Sequence, residues 1–249
     1  MKLTACIITK NEEKNIGRCI DGLLPVADEI IVVDSFSTDN TVAICEDKGV
    51  RIVQTKWQGY GPTKNYLNSL ASCDYIFSVD ADETPDKLLQ QQIISLKEKG
   101  FSGVYEVNRL TNYCGKWIKH SGWYPDWKTR IFPKKGTKWD SQVVHECLVF
   151  EEEHLVQKLE GHLLHYSYYS KKEHQERADK YSLLTAQKLF SQGKKASFLK
   201  PYFSAVARFI TMYLLKLGFL DGKTGFWIAW ISAKSNILKY KTLRILHRG

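Results

Sequence analysis

Tyr75-Ile-Phe-Ser-Val-Asp80-Ala-Asp82-Glu83 decides how the chain reads. Five residues of strand type run into three carboxylates. A continuous apolar run rich in β-formers is the pattern of a buried parallel strand. The acids then lie at its carboxyl end, where ligands bind in open α/β sheets. An Asp-x-Asp delivered to a crevice offers hard oxygen ligands to a divalent cation, and the cation can hold a diphosphate. The same residues also read as a plain strand end before a helix, with Glu83-Thr84-Pro85-Asp86 as cap residues.

Upstream, strands and helices alternate. Residues 3–9, 29–34 and 50–54 read as strands, and residues 11–24, 40–48 and 60–71 contain helices. The first helix carries Ile16, Cys19, Ile20 and Leu23 on one face. Residues 85–99 read as a helix ended by Gly100. This order predicts an α/β fold, a mainly parallel sheet with helices on both faces. Polar groups recur at strand ends: Thr9, Asn11 and Glu12, then Asp34, Ser35 and Asp39, then Asp80 and Asp82. Right-handed crossovers bring such ends together, so these groups are expected to line one crevice. No glycine-rich phosphate loop follows any strand, which argues against nicotinamide-dependent and ATP-hydrolysing enzymes. The Lys10-Asn-Glu-Glu-Lys14 stretch also lacks the glycine-rich loop of nucleotidyltransferases.

Composition sets the frame. The chain has 249 residues, 43% hydrophobic and 25% charged, ordinary values for a globular protein. Its six cysteines have no metal-site or redox spacing and read as reduced thiols. The apolar part of the N-terminus is too short for a signal peptide and reads as a strand. Net charge is +9, unevenly spread: residues 171–249 hold 16 Lys/Arg against 4 Asp/Glu, and residues 1–170 hold 20 against 23. The basic third favours a polyanion or an anionic membrane surface.

Three motifs together, Thr9-Lys-Asn11-Glu12, Val32-Val-Asp34-Ser-Phe-Ser37-Thr-Asp39 and Val79-Asp80-Ala-Asp82-Glu83, resemble in order and spacing the sugar-nucleotide motifs of family-two glycosyltransferases. The resemblance implies a GT-A fold, a nucleotide-sugar donor and Mg2+ or Mn2+ as cofactor. It implies that Thr9, Asn11, Glu12, Asp34 and Ser35 meet the nucleoside. Asp80 would contact ribose or metal-bound water, and Asp82 would be the direct metal ligand. Asp39 reads first as a helix N-cap. Lys64 either meets phosphate or is a solvated helix lysine.

Residues 112–127 are dense in rings. Trp117, Trp123, Tyr124 and Trp127 suit stacking on an acceptor sugar, or form an aromatic mini-core under a loop. The pattern around Trp123-Tyr-Pro-Asp126, Arg130-Ile-Phe132 and Val144-His-Glu146 resembles the branch that glucosylates the lipopolysaccharide inner core. By that resemblance Glu146 is the catalytic base, with Asp126 its rival, and His165 is a metal ligand, with His162 the alternative. The donor is then UDP-glucose and the acceptor a lipid-linked glycan. The expected site of action is the cytoplasmic side of the inner membrane, with peripheral attachment.

The domain reading is 1–169 for the catalytic domain, with nucleotide (1–100) and acceptor (101–169) halves, and 170–249 for a basic helical extension. No stretch in the extension has the ~18 uninterrupted apolar residues of a membrane span. Helices lying in a membrane interface fit it, as does a helical subdomain with a basic solvent face. A nucleic-acid-binding module would need those basic residues to line one groove with stacking rings, and no nucleic-acid partner is expected.

Overall fold

A computed structural model describes residues 1–140 and 147–247 and divides into two compact units. The first unit comprises residues 1–109 and 126–165, and the second residues 110–125 and 166 onward.

The first unit opens with alternating β1 (Leu3–Thr9), α1 (Ile16–Leu23), β2 (Glu29–Asp34), α2 (Thr41–Asp47), β3 (Arg51–Gln54), α3 (Tyr60–Leu70) and β4 (Tyr75–Asp80). Along the chain there follow β5 (Glu83–Pro85), α4 (Lys87–Lys99), β6 (Val104–Tyr113), β7 (Lys116–Trp117), β8 (Trp127–Pro133), β9 (Thr137–Trp139), β10 (Leu148–Phe150) and β11 (Val156–Tyr168), of which β7 and the last residues of β6 and β11 belong to the second unit. The main sheet runs β3-β2-β1-β4-β8-β6-β11-β5. Its first four strands are parallel, whereas β8 pairs antiparallel with both β4 and β6, and β11 antiparallel with β5. Central β1 is buried at all seven positions, as a strand covered on both faces must be.

Helix α1 buries the four residues that its spacing marks, Ile16, Cys19, Ile20 and Leu23. It starts five residues later than its periodicity suggests, because residues 11–15 serve the neighbouring turn. Asn11 adopts a left-handed backbone, φ 55°, and grips Ser37 and Thr38. Helix α4 starts at Lys87, capped by Asp86, whose carboxylate accepts from the Leu89 N–H at 2.8 Å. Thus Asp86 is the cap residue, whereas Glu83–Pro85 form a strand paired with β11. Gly161 has φ +88°, and a Cβ there would lie 2.4 Å from the Leu89 nitrogen, so only glycine lets β11 pass the capped end of α4.

The second unit holds α5 (Lys171–Ser191) and α6 (Lys200–Ile210), which continues as a π-helical turn over Thr211–Leu215. A 3-10 turn over Gly218–Asp221 leads into α7 (Gly222–Leu246). Ser170 caps α5 by accepting from the Glu173 N–H at 3.1 Å. The core of this unit is Tyr113, Ile118, Met212, Ile228 and Ala229, with Trp123 and Tyr168 packed on it.

His174 is buried among the rings of Tyr113, Trp123 and Tyr168, with Nδ1 3.1 Å from the Tyr113 hydroxyl. Burial, reinforced by the Arg177 charge, pushes its pKa from 6.5 down to about 4. The unfolded chain therefore binds one more proton than the folded chain between those values. Stability is full above pH 6.5 and falls as the pH drops toward 4, by up to about 3 kcal/mol. Urea melts of wild type and His174→Phe across this range are expected to differ in slope. An identical pH dependence would remove the assignment.

Candidate active site

Strand register assembles the first part of the site. Thr9 on β1 stands beside Asp34 on β2, and Ile8 beside Asp80 on β4. Asp34 is fully buried. Its carboxylate accepts from the Ser37 hydroxyl, from the Ser37 N–H at 3.0 Å and from Gln54 Nε2 at 2.9 Å. Ser35 is buried and donates its N–H to the Thr9 carbonyl at 3.0 Å. Asn11 Oδ1 accepts from the Thr38 N–H at 2.8 Å, and the Glu12 N–H donates to Thr41 Oγ1 at 2.8 Å. Thus the loops after β1 and β2 are laced into one wall. Asp39 accepts from the N–H groups of Thr41 and Glu13, which makes it a stitch between the loops as well as a helix-start residue. The Thr9 hydroxyl oxygen is buried and has no hydrogen-bond partner among the described residues, a state that a ligand hydroxyl would relieve.

Below the Asp-x-Asp lies an ion network. Asp80 is held at both oxygens, by Lys64 Nζ at 3.4 Å and by Arg130 at 2.9 Å. Burial by itself would raise the Asp80 pKa. The charges of Arg130 and Lys64 overcome this and hold the carboxyl far below its ordinary range. Glu83, fully buried, accepts from Arg130 at 2.6 Å and from the Asp80 N–H at 3.0 Å, with Arg109 at 3.4 Å. Lys64 is itself buried, its ammonium 4.6 Å from the centre of the Trp139 ring, so the solvated-lysine alternative is excluded.

Arg130 entered the sequence pattern only as part of Arg130-Ile-Phe132, with no role of its own. The β6–β8 register steps from Tyr105↔Ile131 to Glu106↔Thr129, leaving Arg130 as the extra residue of a bulge. A bulge re-aims its side chain, here toward Asp80 and Glu83. The visible signal was an arginine immediately before the buried Ile131-Phe132 pair.

Asp82 takes a different partner. Pairing of β11 with β5 sets His165 opposite Glu83, and His165 Nε2 lies 3.2 Å from Asp82 Oδ2. His162 instead pairs with Asp86 at 3.1 Å. The Asp-x-Asp is therefore split: Asp80 is neutralised by protein cations, and Asp82 faces an imidazole. Among the described residues no three His, Cys, Asp or Glu side chains gather as a closed metal site. Two protein ligands nevertheless fit Mg2+ or Mn2+, which are held by one or two side chains together with substrate phosphates and water. Asp82 and His165 are the residues that would hold such an ion.

The remaining expected residues divide. Asp126 accepts from Arg109 at 2.8 Å and from Lys128 at 3.0 Å. Burial would raise its pKa, but Arg109 and Lys128 together lower it below the usual carboxylate range. Glu146 lies outside the described residues. In the first unit Trp127 lies under Lys158, 4.7 Å from the ring centre. In the second, Trp117 meets Tyr166 edge-on and Trp123 packs against Tyr113 and Tyr168. Trp123 is thus part of an aromatic mini-core, while Tyr124 stays half-buried.

Residues 4–151 match the model of glycosyl transferase family 2. An uncharacterized glycosyltransferase of Rickettsia felis is 32% identical over 98% of this chain and 89% of its own length. The lipopolysaccharide core biosynthesis glycosyltransferase LpsC of Rhizobium meliloti is 30% identical over 94% of this chain and 91% of its own. Among solved structures, glucosyl-3-phosphoglycerate synthase of Mycobacterium tuberculosis in complex with Mn2+, UDP and glucosyl-3-phosphoglycerate aligns with a TM-score of 0.37 and 24% identity. That alignment covers 46% of this chain and 44% of the other. With its motifs at the carboxyl ends of β1, β2 and β4 and its mixed sheet, the chain belongs to glycosyl transferase family 2 and is a glycosyltransferase of GT-A fold.

Proposed function

We propose that the enzyme moves glucose from UDP-glucose to a heptose of the lipopolysaccharide inner core, by one in-line displacement with inversion. The observation that carries this reading is the Asp82–His165 pair, set by β4, β5 and β11 beside the wall that holds Thr9 and Asp34. Likeness along almost the whole chain to a lipopolysaccharide core enzyme supports the acceptor class.

In this reading Thr9, Asn11, Glu12 and Ser35 form the nucleoside wall, and Asp34 braces it from within through Ser37 and Gln54. Asp80 meets the ribose, and Lys64 adds positive charge on the diphosphate side. Asp82 and His165 would hold Mg2+ or Mn2+, which when bound would stabilise negative charge on the departing diphosphate. Glu146 takes the proton of the acceptor hydroxyl. The low basicity of Asp126 and the engagement of its oxygens favour Glu146 over it. Trp127 supplies an apolar face for an acceptor sugar. The lipid-linked acceptor places the enzyme at the cytoplasmic face of the inner membrane, attached peripherally through its basic third.

A thermal-shift screen of nucleoside diphosphates and their sugars, with and without Mn2+, tests the donor. At about 100-fold over Kd a ligand adds about 2.7 kcal/mol of apparent stability, a rise of several degrees. UDP and UDP-glucose are expected to give this rise only with the cation. A rise with ADP or CMP derivatives instead would overturn the donor, and transfer to an unrelated glycan but not to inner-core oligosaccharide would overturn the acceptor.

A further inference from the structure

The α6–α7 corner carries an apolar surface that the fold turns outward. Helix α6 buries Pro201 and Ala205, and Met212 follows on the same face. Its opposite face presents Phe203, Val206 and Ile210 at helical spacing, with Phe203 70% exposed. The corner beyond continues this face. Leu214, Leu215, Leu217, Phe219 and Leu220 are 44–72% exposed within seven residues. Such a run is too concentrated to be the scattered apolar exposure of an ordinary surface.

The corner is held in place. The Lys216 N–H donates to the Thr211 carbonyl at 2.8 Å, and the Lys216 carbonyl accepts from the Ser121 N–H at 2.9 Å. A Cβ on Gly225 would lie 1.9 Å from the Gly218 carbonyl oxygen, so the 3-10 turn and α7 touch through glycine. Asp221 is buried and accepts from the His120 N–H at 3.0 Å, and its carbonyl accepts from Lys116 Nζ at 2.6 Å.

That aspartate matters for charge too. Residues 180–249 contain 13 Lys/Arg and one acid, Asp221. With that acid internal, the charged residues exposed along residues 200–223, Lys200, Arg208, Lys216 and Lys223, are all positive. This surface complements anionic headgroups and repels a second copy of itself.

We propose that the corner Leu214–Leu220 inserts into an anionic lipid leaflet as a shallow wedge, an inference that rests on the membrane-attached reading above. Its depth follows from length. The 11 residues of α6 and the 5 of the π-helical turn reach about 24 Å, short of the ~30 Å hydrocarbon layer. The chain then bends by 72° between Lys200–Leu215 and Gly218–Leu246, and no single described helix is long and apolar enough to cross. Wedge-type burial with a basic rim is the interfacial mode.

The test is co-sedimentation of the full chain with phosphatidylglycerol–phosphatidylcholine vesicles, at low salt and at about 0.5 M salt, where the Debye length is only about 4 Å. Wild type is expected to bind and to stay partly bound at high salt. The Leu215→Glu/Leu220→Glu double variant, changed only at exposed positions, is expected to lose binding more than tenfold with an unchanged circular dichroism melt. Unaltered binding by the variant, or complete release of wild type at high salt, would reduce attachment to charge alone and overturn the wedge. Self-association through this corner would overturn it as well. Wild type that ignores anionic vesicles would sink both the wedge and the membrane attachment, while the donor assignment stands on its separate thermal-shift result.

Discussion

Asp82→Ala is expected to lower transfer by at least about a thousandfold while the protein stays folded. A cation that stabilises a leaving diphosphate contributes several kcal/mol to the transition state, and about 4 kcal/mol corresponds to that factor. Among the described residues Asp82 pairs with His165, and it lies at the strand end rather than in the apolar core. Its loss therefore removes a ligand without opening a cavity. Two readings decide the matter: turnover with UDP-glucose, and the Mn2+-dependent thermal shift by UDP. Both should vanish together in Asp82→Ala. Glu146→Gln, in contrast, should keep the shift and lose turnover. Near-normal turnover in Asp82→Ala would remove the cation from Asp82.

The second large effect is on stability. Arg130→Ala should cost about 3–5 kcal/mol, because it leaves a buried carboxylate without its cation. Glu83 is fully enclosed and takes its shortest ion pair from Arg130 at 2.6 Å, with Arg109 more distant at 3.4 Å. Removing both charges is far milder than removing one. The Arg130→Met/Glu83→Gln double variant should thus regain much of the stability that Arg130→Ala loses, and urea unfolding would measure both. A loss below about 1 kcal/mol in Arg130→Ala would mean that Arg109 alone neutralises Glu83. Activity offers an independent check, since Asp80 would keep only its longer contact to Lys64.

Local pattern carried much of this architecture. The strand Tyr75–Asp80 and the buried face of α1 lie where apolar spacing puts them, because one buried strand and one amphipathic helix are each specified by neighbours in sequence. The placement of Thr9, Asp34 and Asp80 at neighbouring strand ends follows from parallel register alone. What local pattern missed depends on distant partners. Glu83–Pro85 has the composition of a helix start, and only β11 makes it a strand. Arg130 resembles any charged residue in a half-exposed strand until the bulge turns it inward. Lys64 could be read either way, since its burial comes from Trp139, seventy-five residues later. Trp123 had two readings for the same reason: its ring partners Tyr168 and His174 lie far along the chain.

The pairing of β5 with β11 also sets an order of events during synthesis. Asp82 emerges from the ribosome about 80 residues before His165, a delay of several seconds at ordinary elongation rates. During that interval the nascent nucleotide wall can form from local βα units, while β5 has nothing to pair with. A chain ending at residue 151, where the family match stops, would be arrested in this state. It would keep Asp82 without the imidazole and expose β5 as a bare edge open to intermolecular pairing. On the proposed function, competence to hold the cation would thus be a late-born property, withheld from any nascent chain that has not yet completed its full sheet.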